Sequence, residues 1–200
     1  MNIKQYLIAV LPLLGFVSCS EEDTAEQEYA NWQAKNEAFF ETQYQAHSVQ
    51  TDNCFILPSW TQPGSKKATE LSHTNCILVD VLERGTGMTS PYYTDSVNVD
   101  WSGRLMPSPS YDNGYEFGRS WLTKFDPDVD QPSAFAVKSG LVAGFSTALQ
   151  HMHRGDRWRV YIPYQLGYGS TATSGIPAYS TLIYEIRLVD FWFKKSGDRK

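Results

Sequence analysis

A chain of 200 residues with 42% hydrophobic and 20% charged side chains is long enough for one compact domain with additions, or two small ones, and has the composition to bury a core. Its net charge of -5 argues against a nucleic-acid groove. The 12 Tyr, 10 Phe and 6 Trp offer rings that pack with a face and, for Tyr and Trp, hydrogen-bond with an edge, which suits an aromatic core or a binding surface.

The N-terminus, MNIKQYLIAVLPLLGFVSCSEED, carries one lysine, an apolar run from Tyr6 to Val17 and the small Ser18 before Cys19. That run is too short to cross a hydrocarbon core of about 30 Å, so residues 1–18 read as a signal peptide rather than an anchor helix. FVSC resembles a bacterial lipobox with Phe16 in place of the usual Leu, which implies cleavage before Cys19, lipidation of that cysteine and attachment to the outer membrane. Several acyl chains on one residue anchor durably, and the SEED that follows looks like a sorting tag for the cell surface. The plainer alternative is ordinary secretion with a stray cysteine. With Cys19 assigned to lipid, Cys54 and Cys76 remain. Outside the cytoplasm they either close one disulfide loop or stay free, with Cys76 buried at the head of an apolar run. No CxxC or spaced Cys/His set suggests zinc.

Residues 19–74 read as an acidic tether, an amphipathic helix and a linker. In TAEQEYANWQAKNEAFFETQYQA, residues 24–46, there is no Gly or Pro, and Tyr29, Trp32, Asn36, Phe39, Phe40 and Gln43 recur at three-to-four spacing, with Asn36 and Gln43 as polar breaks. This helix is free to dock on its own domain, to pair with a second copy as a homodimer, or to serve as a stalk. PSWTQPGSKKATELS, residues 58–72, is loop-like.

From about Asn75 the texture is that of strands. CILVDVLERG is a mostly apolar run; VNVDWSGRL sets Val97, Val99, Trp101 and Leu105 on one face against Asn98, Asp100, Ser102 and Arg104. YDNGYEF holds an Asn-Gly turn. Beyond the polar loop TKFDPDVDQPS comes AFAVKSGLVAGF, then a short helix in STALQHMHRG, with Phe145, Leu149 and Met152 on one face, Ser146 as its cap and Gly155 as its stop. RWRVYIP and STLIYEIRLVDFWF are two further strands joined by a Gly-rich loop; in the second, Leu182, Tyr184, Ile186 and Leu188 alternate with Ile183, Glu185, Arg187 and Val189. This order predicts an α+β domain over residues 75–193, an antiparallel sheet folded over one helix, with a charged tail at 194–200.

From about residue 83 onward the chain resembles the FKBP-type peptidyl-prolyl isomerases. The resemblance is carried by an ordered series from Gly140 to Phe191. LVAGF stands where the family has an aliphatic pair, a glycine and an aromatic; ALQHMHRGDRWRVYIP matches its helix, glycine and strand; LGYG matches its tyrosine loop, and IPAYSTLIYEIRL its closing loop and last strand. DSVNVDWSGRL and DNGYEF match upstream strands. The resemblance implies an FKBP-like half-open antiparallel β-sheet wrapped around one short α-helix, preceded here by an N-terminal helical segment, with an apolar pocket between sheet and helix. It implies Tyr168, Phe117 and Trp101 as catalytic residues, and Phe135, Leu141, Val142, Phe145, Ile176 and Tyr184 as the substrate-binding wall. Phe145 replaces the family's usual Trp at the pocket floor, Trp101 a Tyr, and Tyr184 a Phe. Tyr168, between Gly167 and Gly169, is placed by a loop whose glycines accept angles other residues resist. Gly118 departs from the family's Asp, Ser133 from an aromatic, and the loop before Ile176 is one residue shorter.

Such a pocket catalyses rotation about X-Pro bonds by desolvation and stabilisation of the twisted amide, with no nucleophile, metal or cofactor. The implied partners are proline-containing polypeptides, with the membrane reached through lipidated Cys19 and no nucleic acid. The expected role is an isomerase of the cell envelope assisting the folding of exported proteins; the alternative is a non-catalytic FKBP-like chaperone or binding module on a surface lipoprotein. His151 and His153 at i, i+2 point to different sides of a helix, solvation accounts for Glu21 and Glu22, and Asp126, Asp128 and Asp130 read as a solvated loop, with loose calcium binding as the alternative.

Overall fold

The computed structural model describes residues 28–62, 67–121, 126 and 129–193. The expected signal peptide at 1–18, Cys19 with its acidic tether, Asp128 and the 194–200 tail lie outside the described residues.

Alternating Val, Ile, Leu and aromatic residues favour extended chain because one face of each strand can be buried while the other stays wet. The strands are β1 (Cys54–Pro58), β2 (Cys76–Glu83), β3 (Asp95–Leu105), β4 (Glu116–Arg119), β5 (Ser133–Ala136), β6 (Arg157–Ile162) and β7 (Leu182–Phe193). They hydrogen-bond in the order β1-β2-β6-β7-β3, and the far edge of β3 is shared by β4 and β5. Every pair is antiparallel. In β7, Leu182, Tyr184, Ile186 and Leu188 are buried while their neighbours are half-exposed; Trp158, Val160 and Ile162 do the same in β6. A register shift between Asn98 and Val99 interrupts the simple alternation of β3, and Asp100 and Ser102, expected on its open face, are buried as well.

The short helix α2 (Ala143–Leu149) covers the apolar face, its Phe145, Ala148 and Leu149 joining Val97, Val160 and Ile186 in one core. A Cβ at Gly144 would lie 2.4 Å from Ile162 Cγ2, so glycine is what lets helix and sheet approach. The cap expected of Ser146 is not made. The residue before the helix is extended Val142, with no side-chain cap, and Ser146 lies one turn inside, donating its hydroxyl to the Val137 carbonyl at 2.8 Å. The helix also ends well before Gly155, which takes a positive φ of 90° in the turn leading to β6.

On the N-terminal side, α1 spans Trp32–His47; residues 24–27 of the expected helix lie outside the described residues, and a turn at residues 29–31 separates α1 from helical Glu28. Asn31 adopts the left-handed conformation, φ 54°, which Asn tolerates better than most residues and which a helix cannot continue through. Of the three fates open to this helix, docking on its own domain is the one observed. Trp32 Nε1 donates to Ser180 Oγ at 2.8 Å. Asn36, fully buried, accepts the Thr181 N–H at 2.7 Å and donates to the Trp32 carbonyl. Phe40 packs with Ile56, Cys76 and Leu78 in a second, smaller core. Residues 54–58, which fall before the expected domain boundary, form the edge strand beneath this helix.

Cys54 and Cys76 are free. Cys54 pairs with Asp80 at one end of the β1–β2 ladder and Cys76 faces Pro58 at the other, roughly 13 Å apart at four residues of strand rise, far beyond disulfide reach. Burial pushes the Cys76 thiol up to about 11. No described helix is long and apolar enough to cross a membrane.

Candidate active site

Register brings the aromatic residues together. Gly103 on β3 faces Tyr184 on β7 and Gly118 on β4, and a side chain at Gly103 would strike Phe117 and Tyr184 at 2.4 and 2.8 Å. Both rings therefore close over the bare backbone. Tyr184 then meets Phe145 of α2 edge-to-face at 5.0 Å and 90°, Phe117 at 5.5 Å and Trp101 at 5.9 Å. Phe135 of β5 approaches Phe145 at 6.4 Å.

These rings surround a cavity of about 120 Å³ lined by Trp101, Phe135, Gly140, Leu141, Val142, Phe145, Tyr168 and Tyr184. Seven of the nine residues expected from the sequence thus share one cavity. Phe117 stands behind Tyr184 and supports it. Ile176 is buried in the main core at the base of the closing loop, where it forms a bridge with Thr173. Gly140 was not expected; its φ of 82° turns the chain between β5 and α2, and only the Ser-Gly pair hints at it in sequence. Among the described residues no charged side chain lines the cavity, so a peptide entering it exchanges water for apolar surface.

Tyr168 sits at the mouth, 43% exposed. Gly169 has φ 68° and donates to the Tyr164 carbonyl at 2.8 Å, while its own carbonyl accepts from Tyr179 N–H. The Tyr184 hydroxyl is held well above the usual phenol range, first by burial and then by its interaction and hydrogen bond with the Tyr168 side chain. A hydroxyl that stays protonated can donate to Tyr168 Oη and leave the Tyr168 proton free to face a ligand.

Three departures from the family pattern form one arrangement. A Cβ at Gly118 would lie 2.9 Å from Trp101 Cη2, so the indole occupies the space of a side chain at 118. Its Nε1 donates to Ser133 Oγ at 3.3 Å, which explains a hydroxyl where an aromatic is usual. Elsewhere, a wider cleft of about 380 Å³ lies between α1 and the sheet; of its lining charges, Arg159 pairs with Glu185 at 2.7 Å and Arg104 with Glu116 at 3.2 Å, and Asp112 lies at its rim. His151 Nδ1 bonds the Thr147 carbonyl and His153 faces Asp156, each in its own local contact.

A half-open antiparallel sheet folded over one short helix, with an uncharged aromatic pocket between them, defines a fold built to receive an apolar segment of ligand. Residues 87–189 match the sequence profile of the FKBP-type peptidyl-prolyl cis-trans isomerase, and the chain belongs to that family. It is 36% identical over 109 residues to the macrophage infectivity potentiator of Trypanosoma cruzi, covering 54% of this chain and 49% of that protein. It is 29% identical over 143 residues to the peptidyl-prolyl cis-trans isomerase Mip of Coxiella burnetii, covering 71% and 54%. The crystal structure of FkpA from Escherichia coli superposes with a TM-score of 0.56 at 24% identity, over 85% of this chain and 65% of that one, a likeness of fold. The chain spans about half the length of the relatives it matches by sequence.

Proposed function

We propose that the chain is a peptidyl-prolyl cis-trans isomerase of the cell envelope, acting on proline-containing polypeptides and assisting the folding of exported proteins. The observation that carries this reading is the uncharged aromatic cavity with the Tyr168 hydroxyl at its mouth. Rotation about an X-Pro bond crosses a barrier of ~18–20 kcal/mol because it breaks amide resonance. The twisted amide carries less charge on its carbonyl oxygen, so a dry pocket favours it over the planar ground state, and only such differential binding raises the rate. In this reading Phe145 is the floor on which the proline ring rests. Leu141, Val142 and Phe135 form the wall, Trp101 closes one side, and Phe117 holds Tyr184 upright. Tyr168 donates its hydroxyl to a substrate carbonyl, and Ile176 fixes the closing loop. Residues 1–18 are then the signal peptide, lipidated Cys19 the anchor in the outer membrane, and residues 75–193 the isomerase domain.

Cis-to-trans relaxation of a short peptide with an apolar residue before proline tests the reading. The purified chain is expected to accelerate it, and Tyr168→Ala to remove most of the acceleration. No acceleration by well-folded protein overturns the isomerase. The second reading, a non-catalytic binding module, is favoured by one observation, the Trp101 ring in the place of a carboxylate at position 118. It expects the same protein to bind proline peptides without speeding their isomerisation.

A further inference from the structure

We propose that His47, Cys54 and Asp80 form a zinc-binding site on the sheet face opposite the aromatic pocket. The three come from separate elements: the last residue of α1, the first of β1 and the middle of β2. Cys54 and Asp80 are direct cross-strand partners, so their side chains leave the same face with Cβ atoms roughly 5 Å apart. The end of α1 lowers His47 onto them. One donor atom from each residue, the His47 ring nitrogen, Cys54 Sγ and an Asp80 oxygen, lies within 4.8 Å of the others.

The histidine is arranged as a ligand. Its Nδ1 contacts the Gln43 carbonyl at 2.7 Å, which fixes the tautomer with the proton on Nδ1 and the lone pair on Nε2, the usual outer support of a metal-bound imidazole. Nε2 is buried and faces Asp80 Oδ1 at 3.2 Å, an ion-pair contact with the His47 side chain 4% exposed, in which zinc would take the place of the proton between the two groups. A tetrahedral zinc with Zn–N and Zn–O near 2.1 Å and Zn–S near 2.3 Å sets its ligand atoms roughly 3.3–3.6 Å apart. The His47–Asp80 edge, at 3.2 Å, falls just short of that range, and a small rotation of the Asp80 and Cys54 side chains opens it and closes the other two. The nearby Arg159 is engaged with Glu185 at 2.7 Å, which offsets its charge.

The nitrogen, sulfur and oxygen donors suit a borderline-soft divalent ion. Asp80 is about a third exposed and Cys54 is half-buried, so the ion has an entry path and a fourth position for water. On binding, the Cys54 thiol releases its proton to solvent and the sulfur bonds the metal as thiolate. The consequence is mechanical: zinc ties the C-terminal end of α1 to the edge pair β1–β2.

The test uses the purified full chain stripped with chelator, then titrated with zinc chloride, with cobalt(II) as a spectroscopic probe. One zinc per chain, a rise in Tm, and a thiolate-to-cobalt absorption band are expected. Cys54→Ser and His47→Gln should weaken binding tenfold or more, and Cys19→Ser and Cys76→Ala should leave it unchanged. Alkylation of Cys54 in the unmutated protein, followed by mass spectrometry, gives a readout that needs no variant to fold. Zinc should slow it at least tenfold. Cobalt without a thiolate band, or Cys54 labelling unchanged at saturating zinc, overturns the site.

Discussion

At position 118 a missing side chain and an enlarged ring are two halves of one substitution. Because Trp101 already fills the space, Gly118→Asp alone forces a carboxylate into an indole. Overpacking of this kind costs about 1–3 kcal/mol, read as a lowered urea midpoint. Combining it with Trp101→Ala, which vacates that space, should recover part of the loss, so the two changes are non-additive in a double-mutant cycle. Tyr184→Phe removes one hydroxyl from a ring that stays packed on Phe145 and Phe117. If Tyr184 orients the Tyr168 hydroxyl, kcat/KM for an X-Pro peptide falls roughly fivefold, as for the loss of about 1 kcal/mol, with little change in Tm. An unchanged kcat/KM would assign Tyr184 to packing alone. The resemblance marked each of these positions as a departure from its family. That Trp101, Gly118 and Ser133 compensate one another could not be seen, because residues 17 and 32 positions from Trp101 meet it only through the pairing of β3 with β4 and β5.

Among the elements, α1 departs furthest from a simple amphipathic reading. Its polar break at Asn36 is fully buried and carries the latch, since Thr181 N–H has its partner there at 2.7 Å. Asn36→Leu keeps an apolar stripe intact and still strands a buried donor, a cost of about 1–3 kcal/mol. Equilibrium denaturation should show the loss, and hydrogen exchange at Thr181 should speed up. If stability is unchanged, α1 docks through Trp32 and Phe40 without the latch. The same tertiary demand displaced Ser146 from the capping role expected of it: the Val137 carbonyl, itself at a buried turn, takes its hydroxyl. A helix only from Ala143 to Leu149 draws its stability from packing rather than from its cap.

Across the whole molecule, the sheet face bearing Arg157, Arg159, Glu83, Glu185 and Arg187 is tied by ion pairs at 2.6–2.9 Å. Burial works to raise the Glu185 carboxyl, but Arg159 and then Arg157 outweigh it and hold the group below the usual carboxylate range. A lowered folded value means stability that is present above the unfolded value of about 4.3 and is lost as pH falls through the folded one. Glu185→Gln is therefore expected to destabilise the protein near pH 7 and to lose that effect in acid, so its thermal melting temperature varies less with pH than that of the parent. Equal destabilisation at both ends of the range would show that packing, not charge, is responsible.

The sequence by itself determined the alternation of β6 and β7 and, through the order of its elements, the class of fold, whereas the aromatic makeup of the pocket was implied only by the family resemblance. The first two depend on near neighbours: a strand with one face against a core must repeat every second residue whatever it pairs with. Tertiary structure alone decided that β1 joins the sheet, that Asn36 is buried, that Cys54 and Cys76 lie at opposite ends of a ladder, and that His47, Cys54 and Asp80 converge. Each of these depends on register between segments far apart in the chain. Register follows from the summed burial of whole strands rather than from any local motif.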